Sequence, residues 1–96
     1  MRPSEALALH REAIRTIAES NNVRNVRVFG SVLHGTDTEC SDLDLIVDPT
    51  ETTSLFDIGA ITHELGNLLG MRVDVLTPRA LPDKFRQRVI DEAMPV

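Results

Sequence analysis

Tyrosine and tryptophan are absent from these 96 residues, and phenylalanine occurs three times. A core must therefore be built from Leu, Ile and Val, and no tyrosine of this sequence can be modified. Cysteine is represented by Cys40 alone, which excludes an internal disulfide framework and suits a reducing compartment. No apolar run approaches the ~18 residues of a membrane-spanning helix. Charge begins at Arg2 and no long apolar stretch follows, so no secretory signal pattern is legible and the cytoplasm is the expected location. Basic residues are in the minority. Ten Lys and Arg stand against fifteen Asp and Glu, for a formal net charge of −5. That balance argues against direct nucleic-acid binding, which needs a basic surface, but not against a nucleotide held through metal.

What is present reads as an ordinary soluble composition, 42% hydrophobic and 26% charged, at a length that suits one compact domain over residues 1–96. Leu7, Ile14, Ile17 and Ala18 recur at helical spacing, and Pro3 and Ser4 suit a helix start, so a helix is predicted from Pro3 to Asn21. Val26 and Val28 alternate with Arg27, which predicts a strand over Val23 to Phe29. Ser31 to Gly35 forms a short helical turn, and Thr36 to Ser41 an exposed loop. A second strand runs from Asp42 to Val47 and stops at Asp48-Pro49, because proline cannot donate to a sheet ladder. Ser54 or Thr53 caps a helix over Leu55 to Leu69, with Gly70 ending it. Arg72 to Leu76 is a third strand. A last helix over Ala80 to Ala93 puts Phe85, Val89, Ile90 and Ala93 on one face. The expected fold is α/β (α+β): a small mixed sheet of three or more strands packed with helices.

The candidate chemistry sits at Phe29-Gly30-Ser31 and at Asp42-Leu43-Asp44-Leu45. Side chains along a strand alternate faces, so Asp42 and Asp44 point one way while Leu43, Leu45 and Val47 face a core. At ~6 Å and an effective dielectric of ~20, two such carboxylates repel by roughly 3 kcal/mol. A cation should lie between them, and a hard divalent ion is the natural choice. Asp74, flanked by Val73 and Val75, points off its own strand in the same manner. If the strands are neighbours, three carboxylates converge, a number that suits two Mg²⁺ ions ~3.5–4 Å apart serving an in-line phosphoryl displacement. Gly30 lets backbone approach a phosphate closely, N–H groups at a helix start bind anions, and the Ser31 hydroxyl adds a hydrogen bond. Ser41 is carried as a further nucleotide-side candidate, with bracing of its turn as the alternative. Asp74 is the candidate general base or third ligand.

Other polar residues read as structural. Asp48 belongs to the turn at Pro49, and His10 and His63 lie on helices without partners at metal spacing. Cys40 has no histidine constellation around it. Asp74 could instead pair with Arg72 or Arg79, and Arg79, Lys84, Arg86 and Arg88 read as a solvated helix face, with contact to phosphate or an acidic partner as the alternative.

The run Phe29-Gly30-Ser31, Val32 to Ser41, then Asp42-Leu43-Asp44-Leu45, with Asp74 following alone on a strand, resembles the signature of the DNA polymerase beta nucleotidyltransferase superfamily. The short chain resembles its minimal nucleotidyltransferase branch. The resemblance implies a nucleotidyltransferase fold with Asp42, Asp44 and Asp74 as metal ligands and catalytic carboxylates, and Gly30 and Ser31 as triphosphate contacts. It implies Mg²⁺ as cofactor and ATP as substrate. It further implies an antitoxin role in which AMP passes to a tyrosine of a HEPN-domain ribonuclease toxin, with the two proteins forming a hetero-oligomer. Many relatives carry arginine where this chain has His34, so no phosphate-binding role is carried over to His34. Two other functions remain open: a non-catalytic antitoxin that acts by binding its partner, and a nucleotidyltransferase for small molecules of the aminoglycoside type.

Overall fold

The computed structural model describes residues 1–96. Helix α1 spans Pro3–Glu19, strand β1 Val23–Phe29, helix α2 Gly30–His34, strand β2 Leu43–Pro49, helix α3 Leu55–Leu69 and strand β3 Val73–Leu76. A 3₁₀ turn at Pro78–Ala80, helix α4 at Asp83–Glu92 and a two-residue strand β4, Met94–Pro95, complete the chain. The four strands form one mixed sheet in the order β3-β2-β1-β4. Strand β1 is antiparallel to both β2 and β4, and β2 is parallel to β3 through the α3 crossover. The expected fold class is what the chain adopts. No helix is long and apolar enough to cross a membrane.

Local chemistry accounts for most of the element boundaries. Ser54 caps α3 with a reciprocal pair of bonds: the Asp57 N–H donates to Ser54 Oγ at 3.3 Å, and the Ser54 N–H donates to Asp57 Oδ2 at 2.8 Å. The Ser54 N–H holds the Asp57 carboxyl below the usual carboxylate range. Gly70 closes the same helix in the left-handed conformation, at φ 65°. Strand β1 is interrupted by a bulge between Arg24 and Arg27, with Asn25 left-handed at φ 53°. The bulge resets the alternation, so Val23, Val26 and Val28 all reach the core.

One face of the sheet is closed. Leu7, Ile14 and Ala18 of α1 and Ile61 and Leu65 of α3 bury Val28, Leu43, Leu45, Val47, Val73 and Val75 in a single apolar cluster. Ile14, Leu43, Leu45, Ile61 and Leu65 are fully excluded from solvent. At ~25 cal/mol per Å² of apolar surface, this cluster is the main stabilising term. The other face is partly covered: the 3₁₀ turn lies against β2, and Ile46 and Leu81 are buried.

Three expectations need correction. The first helix ends at Glu19 and is kinked at His10, whose φ is −120°, although its apolar stripe survives the kink. The segment from Thr36 to Ser41 is not wholly exposed: Asp37 is buried, accepting the Ser4 N–H at 2.8 Å. That bond fastens the loop to the start of α1. The predicted helix over Ala80 to Ala93 is broken, because Pro78 opens a 3₁₀ turn and Pro82 caps a separate, shorter α4. No residue of α4 is fully buried: Phe85 is 48% exposed and Val89 and Ile90 are partly buried, so this face is covered only in part.

Candidate active site

Residues Asp42, Asp44 and Asp74 lie on the partly covered face. Strands β2 and β3 run parallel in the register Leu43↔Val73, Asp44↔Asp74 and Leu45↔Val75. The apolar partners of that register are buried in the core, so alternation sends Asp44 and Asp74 to the opposite side as neighbours. Asp42 sits one turn of the pleat earlier, just before β2, and shares their face. The structure therefore brings together all three acids that the sequence singles out.

Gly30 stands next to them. Phe29 pairs with Asp44 across β1 and β2, and Gly30 follows with a positive φ of 74°. A Cβ built there would collide with the Asp44 carboxylate, and would lie 3.2 Å from Asp44 Cγ and 3.3 Å from Asp44 Cβ. Glycine is needed to seat the acid as well as to make the turn. This role was hidden in the sequence, because nothing in the motif says that the two residues touch.

Charge at the cluster is only partly compensated. Arg72 Nε lies 3.5 Å from both Asp42 Oδ2 and Asp74 Oδ1, so a guanidinium stands between these two acids, and the pairing of Asp74 with Arg72 weighed as an alternative is present. Asp44 has no such partner. Its pKa is pushed up to about 6, first by burial and then by the Asp74 and Asp42 charges, with Arg72 offsetting part of the rise. In this conformation no three His, Cys, Asp or Glu side chains gather as a ready-made cation cage. The donor set nonetheless fits a hard divalent ion: all-oxygen, anionic, partly desolvated and short of positive charge. Asp42, Asp44 and Asp74 are the residues that could hold it.

The remaining candidates are placed as follows. Ser41 braces its turn, with Oγ accepting the Thr38 N–H at 2.8 Å. His34 Nε2 lies 3.1 Å from Glu92 Oε2, and the other oxygen of Glu92 is 3.5 Å from Arg88 Nε. Between α2 and α4 a cavity of about 250 Å³ opens beside Gly30, lined by Phe29, His34, Phe85 and Arg88 among others. Its signal in sequence was weak, since it joins residues 50 or more positions apart. A larger polar depression, about 480 Å³, involves Asn22, Pro49 and Thr50. It lies at the opposite end of β1 and β2 from the acids, since Val23 pairs with Pro49 and Phe29 with Asp44. Asp48 is structural but not in a turn: β2 runs on through Pro49 instead of stopping before Asp48, and Asp48 pairs with the buried Arg27 and accepts from Asn25 Nδ2 at 2.9 Å.

A mixed sheet with acids on adjacent parallel strands beside a glycine turn is the architecture of a nucleotidyltransferase fold. Residues 12–96 match the family model described as polymerase beta, nucleotidyltransferase. The chain is 34% identical over 88 residues to protein adenylyltransferase MntA of Thermococcus cleftensis, covering 92% of this chain and 86% of that one. A solved structure assigned to the minimal nucleotidyltransferases superposes with a TM-score of 0.87 at 40% identity, covering 97% of this chain and 95% of the other. The fold is also that of a chain in the complex described as tri-AMPylated Shewanella oneidensis HEPN toxin with MNT antitoxin. There the TM-score is 0.68 and the identity 19%, over 92% of this chain and 69% of that one. The chain belongs to the polymerase beta nucleotidyltransferase family, in its minimal branch.

Proposed function

We propose that this protein is a Mg²⁺-dependent protein adenylyltransferase, an antitoxin that transfers AMP from ATP to a tyrosine of a HEPN-domain toxin. The observation that carries the reading is the register of Asp44 with Asp74, which puts three carboxylates on one face beside Gly30. The family membership and the similarity to an MntA adenylyltransferase support the same reading. Bound Mg²⁺ would supply charge neutralisation for the phosphate oxygens and the attacking hydroxyl, with Asp42, Asp44 and Asp74 as its ligands.

The order of strands supports one reading of the sides. Asp74 lies on β3 and Gly30 follows β1, so Asp44 on β2 stands between them. In-line displacement puts nucleophile and leaving group on opposite sides of the transferred phosphorus. The acceptor hydroxyl then approaches from the Asp74 side, and Asp74 takes its proton. The bond from the acceptor oxygen to the α-phosphorus forms as the bond to the β-phosphate oxygen breaks, and pyrophosphate leaves toward Gly30 and Ser31. Ser41 holds the loop that carries Asp42 into place. The face is open, and this sequence holds no tyrosine, so the partner chain supplies the acceptor.

The test is label transfer from α-³²P-ATP to the toxin. The Asp42→Asn, Asp44→Asn double variant is expected to lose ~10³-fold or more in rate, over ~4 kcal/mol of barrier. Undiminished labelling by that variant would reject the assignment.

A further inference from the structure

Four charged side chains, not three, share the open corner of the sheet. The register that sets Asp44 beside Asp74 continues one step earlier, where the Leu43 N–H donates to the Arg72 carbonyl at 3.1 Å. Arg72 is two residues before Asp74 and therefore on the same face. Its Nε is held at 3.5 Å from an oxygen of Asp42 and from an oxygen of Asp74. These are two of the three carboxylates that would bind metal, and the third, Asp44, has no ion-pair partner.

We propose that Arg72 is a built-in counter-ion that a divalent metal must displace, so that guanidinium and metal compete for Asp42 and Asp74. This rests on the reading of the three acids as metal ligands. Three carboxylates and one guanidinium leave the corner short of positive charge. The guanidinium also reaches both partners from the single Nε at 3.5 Å, too far for a strong hydrogen bond to either. A divalent ion brings twice the charge and binds oxygen directly. The arginine side chain is 74% exposed and Asp42 and Asp74 are more than a third exposed, so the pairs are weak and screened by water. Arg72 can hold the empty acids together without blocking the exchange. It thereby sets the metal concentration at which the site loads.

The experiment is a titration with Mn²⁺, which binds oxygen sites like Mg²⁺ and is generally the tighter of the two. The free ion is followed by electron paramagnetic resonance with no nucleotide present, at constant ionic strength. Wild type, Arg72→Gln, Arg72→Lys and Asp44→Asn are compared, with thermal unfolding to confirm that each is folded. Arg72→Gln should reach half-saturation at about three- to tenfold lower Mn²⁺ than wild type. Arg72→Lys, which keeps the charge, should stay near wild type, and Asp44→Asn should bind weakest. If Arg72 only stiffened the strand end, its loss would lower the unfolding temperature without moving the Mn²⁺ midpoint. A midpoint in Arg72→Gln equal to or above that of wild type overturns the proposal while leaving the metal reading intact. Absence of binding in wild type and Asp44→Asn alike removes the metal reading, and the competition with it.

Discussion

Asp44 carries the conflict between folding and function. Its carboxyl pKa is pushed up to about 6, well above that of an ordinary aspartate. The folded chain therefore binds this proton more tightly than the unfolded chain does. For a carboxylate raised in this way, stability is greatest below the unfolded value and falls as pH rises through the window between the two. The full linkage would be about 3 kcal/mol, but the carboxylate is only partly buried, and solvent screening reduces it to about 1 kcal/mol. Asp44→Asn removes the penalty. In EDTA at about pH 7 the variant should unfold about 5 °C above wild type, and at about pH 4 the difference should vanish. Differential scanning calorimetry at the two pH values checks this. A gap of equal size at both would assign the stabilisation to something other than the charge. Addition of Mg²⁺ should raise the unfolding temperature of wild type alone, since only the intact cluster gains a counter-ion. Gly30 belongs to the same conflict, because the fold keeps the space of its missing side chain for that carboxylate.

At the scale of elements, α4 is the part held by the fewest ties. It buries no residue, and Arg86 fastens its start by donating from Nε to the Pro78 carbonyl at 2.8 Å and from Nη2 to the Leu81 carbonyl at 2.8 Å. Arg86→Ala should cost about 1–2 kcal/mol in those bonds. In hydrogen exchange it should speed the amides of Asp83 to Glu92 while leaving those of α1 and α3 unchanged, because weakly packed elements open locally. Acceleration spread evenly over the chain would instead mean that α4 is part of the cooperative core. The same weakness explains why this end was misread from sequence. Helix α3 was legible to the residue because Ser54 and Gly70 carry local start and stop signals, which the structure completes with Asp57. The apolar spacing of Phe85, Val89 and Ile90 resembled the face of a buried helix, but spacing cannot say whether anything packs against it. Strand β4 escaped notice because two residues, one of them a proline, have no period. The acid face was legible because alternation alone sends Asp42, Asp44 and Asp74 off the core. Its neighbours in space, the Gly30–Asp44 approach and the α2–α4 cavity, depend on strand order, which alternation does not encode.

For the whole molecule, the question is whether protection from a toxin would come from chemistry or from cover. The two differ in stoichiometry. A chain that only binds must be present at one copy per toxin site, and its effect saturates at that ratio whatever else is in solution. A chain that transfers AMP turns over, so a small fraction of it inactivates the whole toxin pool given time and ATP. The side chains of Asp42 and Asp74 stay more than a third exposed on the partly covered face, which supports turnover: a modified product is not enclosed at the site. If the proposed function holds, incubation of a HEPN toxin with this chain at about one part in twenty, with ATP and Mg²⁺, should silence the ribonuclease at typical transferase rates of ~1–10 s⁻¹ or well below. EDTA present from the start, or the Asp42→Asn, Asp44→Asn pair in place of the wild type, should leave nearly all of that activity intact at the same ratio. Protection that appears only near equal amounts, and survives both EDTA and the double variant, would make the acid face a relic and the protein a cover. Exposed Leu55 and Phe56, 88% and 90% accessible at the start of α3, would then be the first residues to test for contact. They lie beyond the Thr50–Ser54 loop, at the end of β2 opposite Asp44, so their substitution would separate docking from chemistry in one chain.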